Sequence, residues 1–156
     1  MSGFLLDTNC VSEIVRIKPE PRVMEWMQAA DERLLHLSVL TFGEIRKGAT
    51  LLPASSKRNQ LERWLEVELP ARFADRLLPI NREISEIWGA MAGQARLKGA
   101  TLAIIDGLMA ATAKHHDLTV VTRNVKDFRV WGTPGDQSLG DAVTNAATPG
   151  DDVPTN

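Results

Sequence analysis

Four short segments, far apart in the 156-residue chain, carry apolar residues straight up to an acid or an amide. They are Phe4-Leu5-Leu6-Asp7-Thr8-Asn9, Thr41-Phe42-Gly43-Glu44-Ile45, Ile104-Ile105-Asp106-Gly107, and Val120-Val121-Thr122-Arg123-Asn124 with Asp127 just beyond. Burying a carboxylate is costly unless a cation or a hydrogen-bond network receives it. Ligands that are all oxygen favour Mg²⁺ or Mn²⁺ over softer ions. A divalent ion held by carboxylates, with positions left open, suits hydrolysis of a phosphodiester.

Each acid also has a plainer role open to it. Asp7 can cap the helix that follows it. Glu44 can pair with Lys47 three residues on, along a solvated helix face. Asp127, just before Phe128, can be a turn acid, and Arg123 a surface residue at a strand end. Asp106 is the hardest to explain away, because Leu102-Ala103-Ile104-Ile105-Asp106-Gly107-Leu108-Met109 offers few exposed positions. Three carboxylates in one place repel each other, and a divalent ion restores their ionisation.

These segments need elements to hold them. Residues 4–6 read as a short buried strand ending at Asp7, and a helical stretch follows through Arg16. Pro19 and Pro21 break it, and Pro21 can open the next helix, Arg22 to about Ala30. Leu34–Ser38 reads as a second strand. A helix to about Leu52 carries Leu40, Ile45, Ala49 and Leu52 near one face. Gly43 and Gly48 flank Glu44 there and imply close approach of another element. Ser55–Leu69 is amphipathic, with Leu61, Trp64 and Leu65 inward, Lys57-Arg58 and Glu62-Arg63 outward, and Pro70 as its stop.

Leu77–Ile80 is a short strand, and Pro79 argues for an edge position. Asn81 caps a helix to about Lys98, striped by Ile84, Ile87, Trp88, Met91 and Ala95. Gly99 ends it. Thr101–His115 is a central helix, apolar on nearly all sides. Leu118–Thr122 is the strongest strand, rich in β-branched residues. Strands alternating with helices predict a parallel sheet covered on both faces, with sites at the carboxyl ends of strands.

The 44% hydrophobic and 24% charged content is that of an ordinary globular domain. No apolar run reaches the roughly 20 residues that span a bilayer, and the start lacks a signal peptide's basic and apolar regions. The expectation is a cytoplasmic protein without membrane contact. A single cysteine, Cys10, excludes an intrachain disulfide and a Cys-based zinc site, and it reads as a small packed residue. The formal net charge of −2 does not announce nucleic acid. Binding to one would rest on local patches such as Arg46-Lys47, Lys57-Arg58 and Arg96 with Lys98. His115 and His116 suit the negative end of a helix, and His36 lies in a strand. None is needed as a catalyst. The domain is read as residues 1–132, and residues 133–156, poor in large apolar side chains, as a disordered tail.

At LLDTNCVSE (5–13), LSVLTFGEIRKG (37–48), IDGLMAATA (105–113) and LTVVTRNVKDF (118–128) the chain resembles the PIN-domain family, specifically the VapC-like and FitB-like toxins of bacterial toxin–antitoxin pairs. The likeness spans roughly residues 4–131, and four segments in order make it specific. It implies a Rossmann-like three-layer α/β/α sandwich with a central parallel sheet, and a ribonuclease dependent on Mg²⁺ or Mn²⁺. Asp7, Glu44 and Asp106 match the family's first three acids. Asn124 stands where many members carry Asp; an amide can coordinate a metal through its carbonyl but brings no charge, so Asn124 and Asp127 are both candidates for the fourth metal position. Thr8, Asn9 and Thr122 match small polar positions that orient the acids, and Arg46 and Arg123 are candidate phosphate contacts. Leu102 replaces a frequent proline and Gly107 a common alanine, changes expected to alter the helix start.

The resemblance further implies a small cognate antitoxin, a homodimer within a toxin–antitoxin hetero-oligomer, and RNA, such as tRNA, as substrate. The rival reading is a PIN domain of weak or no activity that binds RNA or protein. A haloacid-dehalogenase-like phosphatase would need a second Asp where Asn9 stands. A receiver domain would place Glu44 and Asp106 differently.

Overall fold

A computed structural model describes residues 3–122 of the chain. Four parallel strands, β1 (Phe4–Leu6), β2 (Leu35–Ser38), β3 (Leu77–Leu78) and β4 (Thr119–Val121), form one sheet in the order β3-β2-β1-β4. Leu6 stands beside Val121, and Leu5 beside both Val120 and His36. The chain moves outward from β1 to β3 and then returns to the other side of β1. The strand order therefore reverses between β1 and β4, where open α/β sheets form their crevices.

Alternation along the strands makes the sheet two-sided. Leu6, Leu35, Leu37 and Val121 enter one core with Cys10, Val23, Met27, Ile45, Trp64, Leu65, Leu69 and Phe73. These come from the helices α1 (Thr8–Ser12), α2 (Pro21–Ala29) and α3 (Val39–Leu51), and from the run that α4 (Ser56–Arg63) and α5 (Leu69–Arg72) form. Leu5 and Val120 point the other way, onto Met109 and Ala113 of α7 (Ile104–His116). α6 (Arg82–Leu97) packs along α7. The three-layer expectation holds, and Cys10 is a small packed residue buried in the core.

Caps follow the sequence closely. Asn81 accepts the Ile84 N–H at 2.9 Å, Ser38 accepts that of Leu40 at 3.1 Å, and Pro21 opens α2. Four local expectations change. Pro70 does not end its helix: α4 (Ser56–Arg63) passes into a π-helical turn, Trp64–Glu68, and then α5 (Leu69–Arg72). The wider turn accommodates a residue that lacks an N–H and crowds the preceding turn. The helix expected from Thr101 begins at Ile104, which puts Asp106 in its first turn.

A Cβ at Gly43 or Gly48 would meet nothing within 4 Å, so no element approaches there. At Gly107, by contrast, it would lie 2.7 Å from Leu102 Cδ2 and 2.9 Å from Trp88 Cδ1. Finally, Arg58 does not point to solvent. It folds back to the Leu52 carbonyl that ends α3 (3.1 Å) and to Glu62 (3.0 Å).

Candidate active site at the strand-order reversal

Asp7 immediately follows β1, and its N–H reaches the Val121 carbonyl of β4 at 2.9 Å. This backbone bond sets Asp7 beside Thr122 at the carboxyl end of the sheet. Asp7 Oδ1 accepts the Thr8 N–H (2.8 Å), while Oδ2 accepts the Thr122 hydroxyl (2.8 Å). The Asn9 amide in turn donates to Thr122 Oγ1 at 3.2 Å. Asp7 therefore does cap α1, and the same carboxylate is also held from β4.

The Thr8 hydroxyl donates to Glu44 Oε1 at 2.6 Å, a short charge-assisted bond, and lies 3.1 Å from the hydroxyl of Thr41. Glu44 is placed by α3, which starts directly after β2 and so rises from the same sheet end. The alternative of a solvated Glu44–Lys47 pair gives way to this inward contact. Thr41 is fully buried and is a site residue that the sequence reading passed over. Its signal was its position three residues before Glu44, on the same helix face.

Asp106 arrives by a different route. Only Asp117 and Leu118 separate α7 from β4, so the helix runs back antiparallel to the strand. From His116 to Asp106 the helix climbs about 15 Å, against about 10 Å from Thr119 to Thr122 along the strand. The first turn of α7 therefore stands at the carboxyl end of the sheet. Asp106 is half-buried there, and its negative charge suits a helix N-terminus.

Among the described residues, no group of three or more His, Cys, Asp or Glu side chains is close enough together to hold a metal ion. The donors at the sheet end are nevertheless all oxygens, from Asp7, Glu44 and the threonine hydroxyls, which is the chemistry of a Mg²⁺ or Mn²⁺ site. Arg123, Asn124 and Asp127 lie outside the described residues. Arg46 turns to Glu66 (3.0 Å) and Glu62 (4.0 Å) on the neighbouring helix run. His36, His115 and His116 belong to the opposite end of the sheet, where strands begin and α7 ends.

Known proteins are similar to this chain in sequence and in fold. The PIN-domain family pattern matches residues 4–130. Toxin FitB of Neisseria gonorrhoeae is 39% identical over 124 residues, 80% of this chain and 89% of that protein. The VapC ribonuclease Y4jK of Sinorhizobium fredii is 34% identical over 128 residues, 82% of this chain and 91% of its own length. The crystal structure of FitAcB from Neisseria gonorrhoeae superposes with a TM-score of 0.75 at 38% identity, covering 81% of this chain and 91% of that one.

Proposed function

We propose, from the premise that this chain belongs to the PIN-domain family, that it is a metal-dependent endoribonuclease and the toxin of a toxin–antitoxin pair. The observation that carries the reading is the hydrogen-bonded set Asp7–Thr122 and Thr8–Glu44, gathered where the strand order reverses. Asp7, Glu44 and Asp106 would hold Mg²⁺ or Mn²⁺, with Asn124 or Asp127 as a further donor. When bound, the ion supplies an activated water and stabilises charge on the phosphate.

The chain's own residues do the rest. Thr122 fixes the orientation of Asp7, and Thr8 fixes that of Glu44, so neither carboxylate must be ordered when the ion arrives. Asn9 holds Thr122 in place. Arg123, the next residue in sequence after Thr122, is the candidate phosphate contact. The partner is a small antitoxin, a reading supported by the similar toxin–antitoxin complex from Klebsiella pneumoniae. The working unit is a homodimer of toxin in the cytoplasm. Among the described residues no helix is long and apolar enough to cross a membrane.

The test is cleavage of total RNA and a tRNA panel with Mg²⁺, Mn²⁺ or EDTA, by the native chain and by Asp7→Ala. Discrete products that vanish with EDTA and in the variant support the enzyme. Asn124, standing where many members of the family carry Asp, favours one alternative, a binding-only PIN domain. No cleavage by antitoxin-free protein, together with no metal binding by calorimetry, would establish that alternative.

A further inference from the structure

An open groove of about 1230 Å³ extends away from the acids. Thr8 and Glu44 line it, together with Arg16 and Lys18 from the segment after α1, and Leu61 and Trp64 from the α4 run. Close to this groove, the sequence LLDTNCVSE ends in an acid that the site above does not use. Glu13 is fully buried. Its Oε1 accepts Arg16 Nη1 at 2.7 Å, and its Oε2 accepts the backbone N–H of Glu20 at 2.8 Å. Its Arg16 partner has a side chain 55% exposed, against 1% for Glu13.

This asymmetry has a physical meaning. A carboxylate out of water is tolerated only with strong partners, and here one of them is a cation on the groove wall. An arginine anchored on one nitrogen keeps other N–H donors for an anion. It also loses less rotamer freedom on binding than an untethered surface cation. Arg46, by contrast, is engaged by Glu66 and Glu62 and does not line the groove.

We infer that Arg16 is an RNA-phosphate contact of this groove, and that buried Glu13 is the positioning residue that holds it and the Arg16–Glu20 segment beside the acid site. The inference rests on the ribonuclease reading.

It is tested on the full chain with Arg16→Ala, Arg16→Lys, Glu13→Gln and the double variant Glu13→Gln/Arg16→Ala. Cleavage kinetics and RNA affinity against salt are measured on a single-stranded substrate. Loss of a charge-assisted phosphate contact is expected to raise KM about tenfold in Arg16→Ala. The same variant should lower the salt slope of log K by about 0.7, and kcat should stay within about twofold. Arg16→Lys recovers part of the affinity. In KM and salt slope the double variant should match Arg16→Ala alone, because Glu13 reaches the phosphate only through Arg16, whereas the lost Glu20 contact should show in melting temperature.

An unchanged KM and salt slope in Arg16→Ala, with the native chain cleaving, overturns the inference. So does full additivity of the two substitutions in KM. A fall in melting temperature without a change in KM in Glu13→Gln would reduce that residue to a structural one. If the native chain neither cleaves nor binds RNA with metal present, the ribonuclease reading itself fails, which is a separate result.

Discussion

Thr8 is the hinge of the site chemistry. Its N–H serves Asp7 and its hydroxyl serves Glu44, so one residue orients two carboxylates from different elements. Thr8→Val keeps the shape and removes the hydroxyl. With Asp7 and Glu44 holding a metal ion as proposed, a group that orients such ligands is typically worth 10–100-fold, so RNA cleavage should fall by about that factor. The fold should survive, because the backbone bond to Asp7 remains. The check is kcat/KM beside a circular dichroism melt.

Gly107 makes a second prediction. A methyl there would strike Leu102 and Trp88, so Gly107→Ala should cost about 1–3 kcal/mol through overpacking. Leu102→Ala should cost less in the Gly107→Ala chain than in the native one, a coupling that urea unfolding of the double-mutant cycle would show. Leu102 occupies part of the room that an alanine at 107 would need.

Between α5 and β2 lies the best-tied junction in the fold. Arg76 donates to the Leu35 carbonyl at 2.8 Å and to Glu32 Oε1 at 3.1 Å, and also to the Glu32 and Arg72 carbonyls. It lies over the ring of Phe73, 4.8 Å from the centroid. Arg72 binds the same Glu32, and its hydrogen bond is the main cause holding that carboxyl below its usual range. Arg76→Ala would strip the Leu35 and Glu32 carbonyls of a charged donor, and the expected loss is about 2 kcal/mol. Denaturant unfolding monitored by tryptophan fluorescence measures it.

Little of this junction was legible in the sequence. Arg76 reads as one more polar residue in a connection, because its partners are 41 and 44 positions away. Pro70 misled for a related reason. A proline ends a regular α-helix, yet a π turn widens the spiral enough to pass it. The burial of Trp64, Leu65 and Leu69 on one side favours keeping the run continuous.

Across the whole molecule, Asp7 and Glu44 lie at the carboxyl end of the sheet and the histidines at its amino end. Burial holds the His116 imidazole below its ordinary value, and the neighbouring His115 and His36 add to this. The sign follows directly. As pH falls, the unfolded chain takes up a proton near the ordinary 6.5, before the folded state does. This contribution to stability is complete above 6.5 and declines as pH falls below it toward the folded-state value. Melting temperature should therefore drop between about pH 7.5 and pH 5.5, and His116→Gln should flatten that slope. An equal slope in the variant would assign the effect elsewhere.

What could be read along the chain was whatever repeats locally. Apolar alternation marked the strands, three-and-four spacing marked the helices, and strand–helix succession gave a parallel sheet with Asp7 at its carboxyl end. The four segments in order also pointed to the family. The partners of each side chain were a different matter. Glu44 had Lys47 nearby in sequence, yet it bonds Thr8, 36 residues away. Asp7 had its own helix to cap, yet it also receives a hydroxyl 115 residues on. Backbone geometry repeats every two or 3.6 residues and so leaves its imprint on neighbours. A hydrogen bond across the crevice depends on how β1, β4 and α3 are stacked, and no local spacing records that distance.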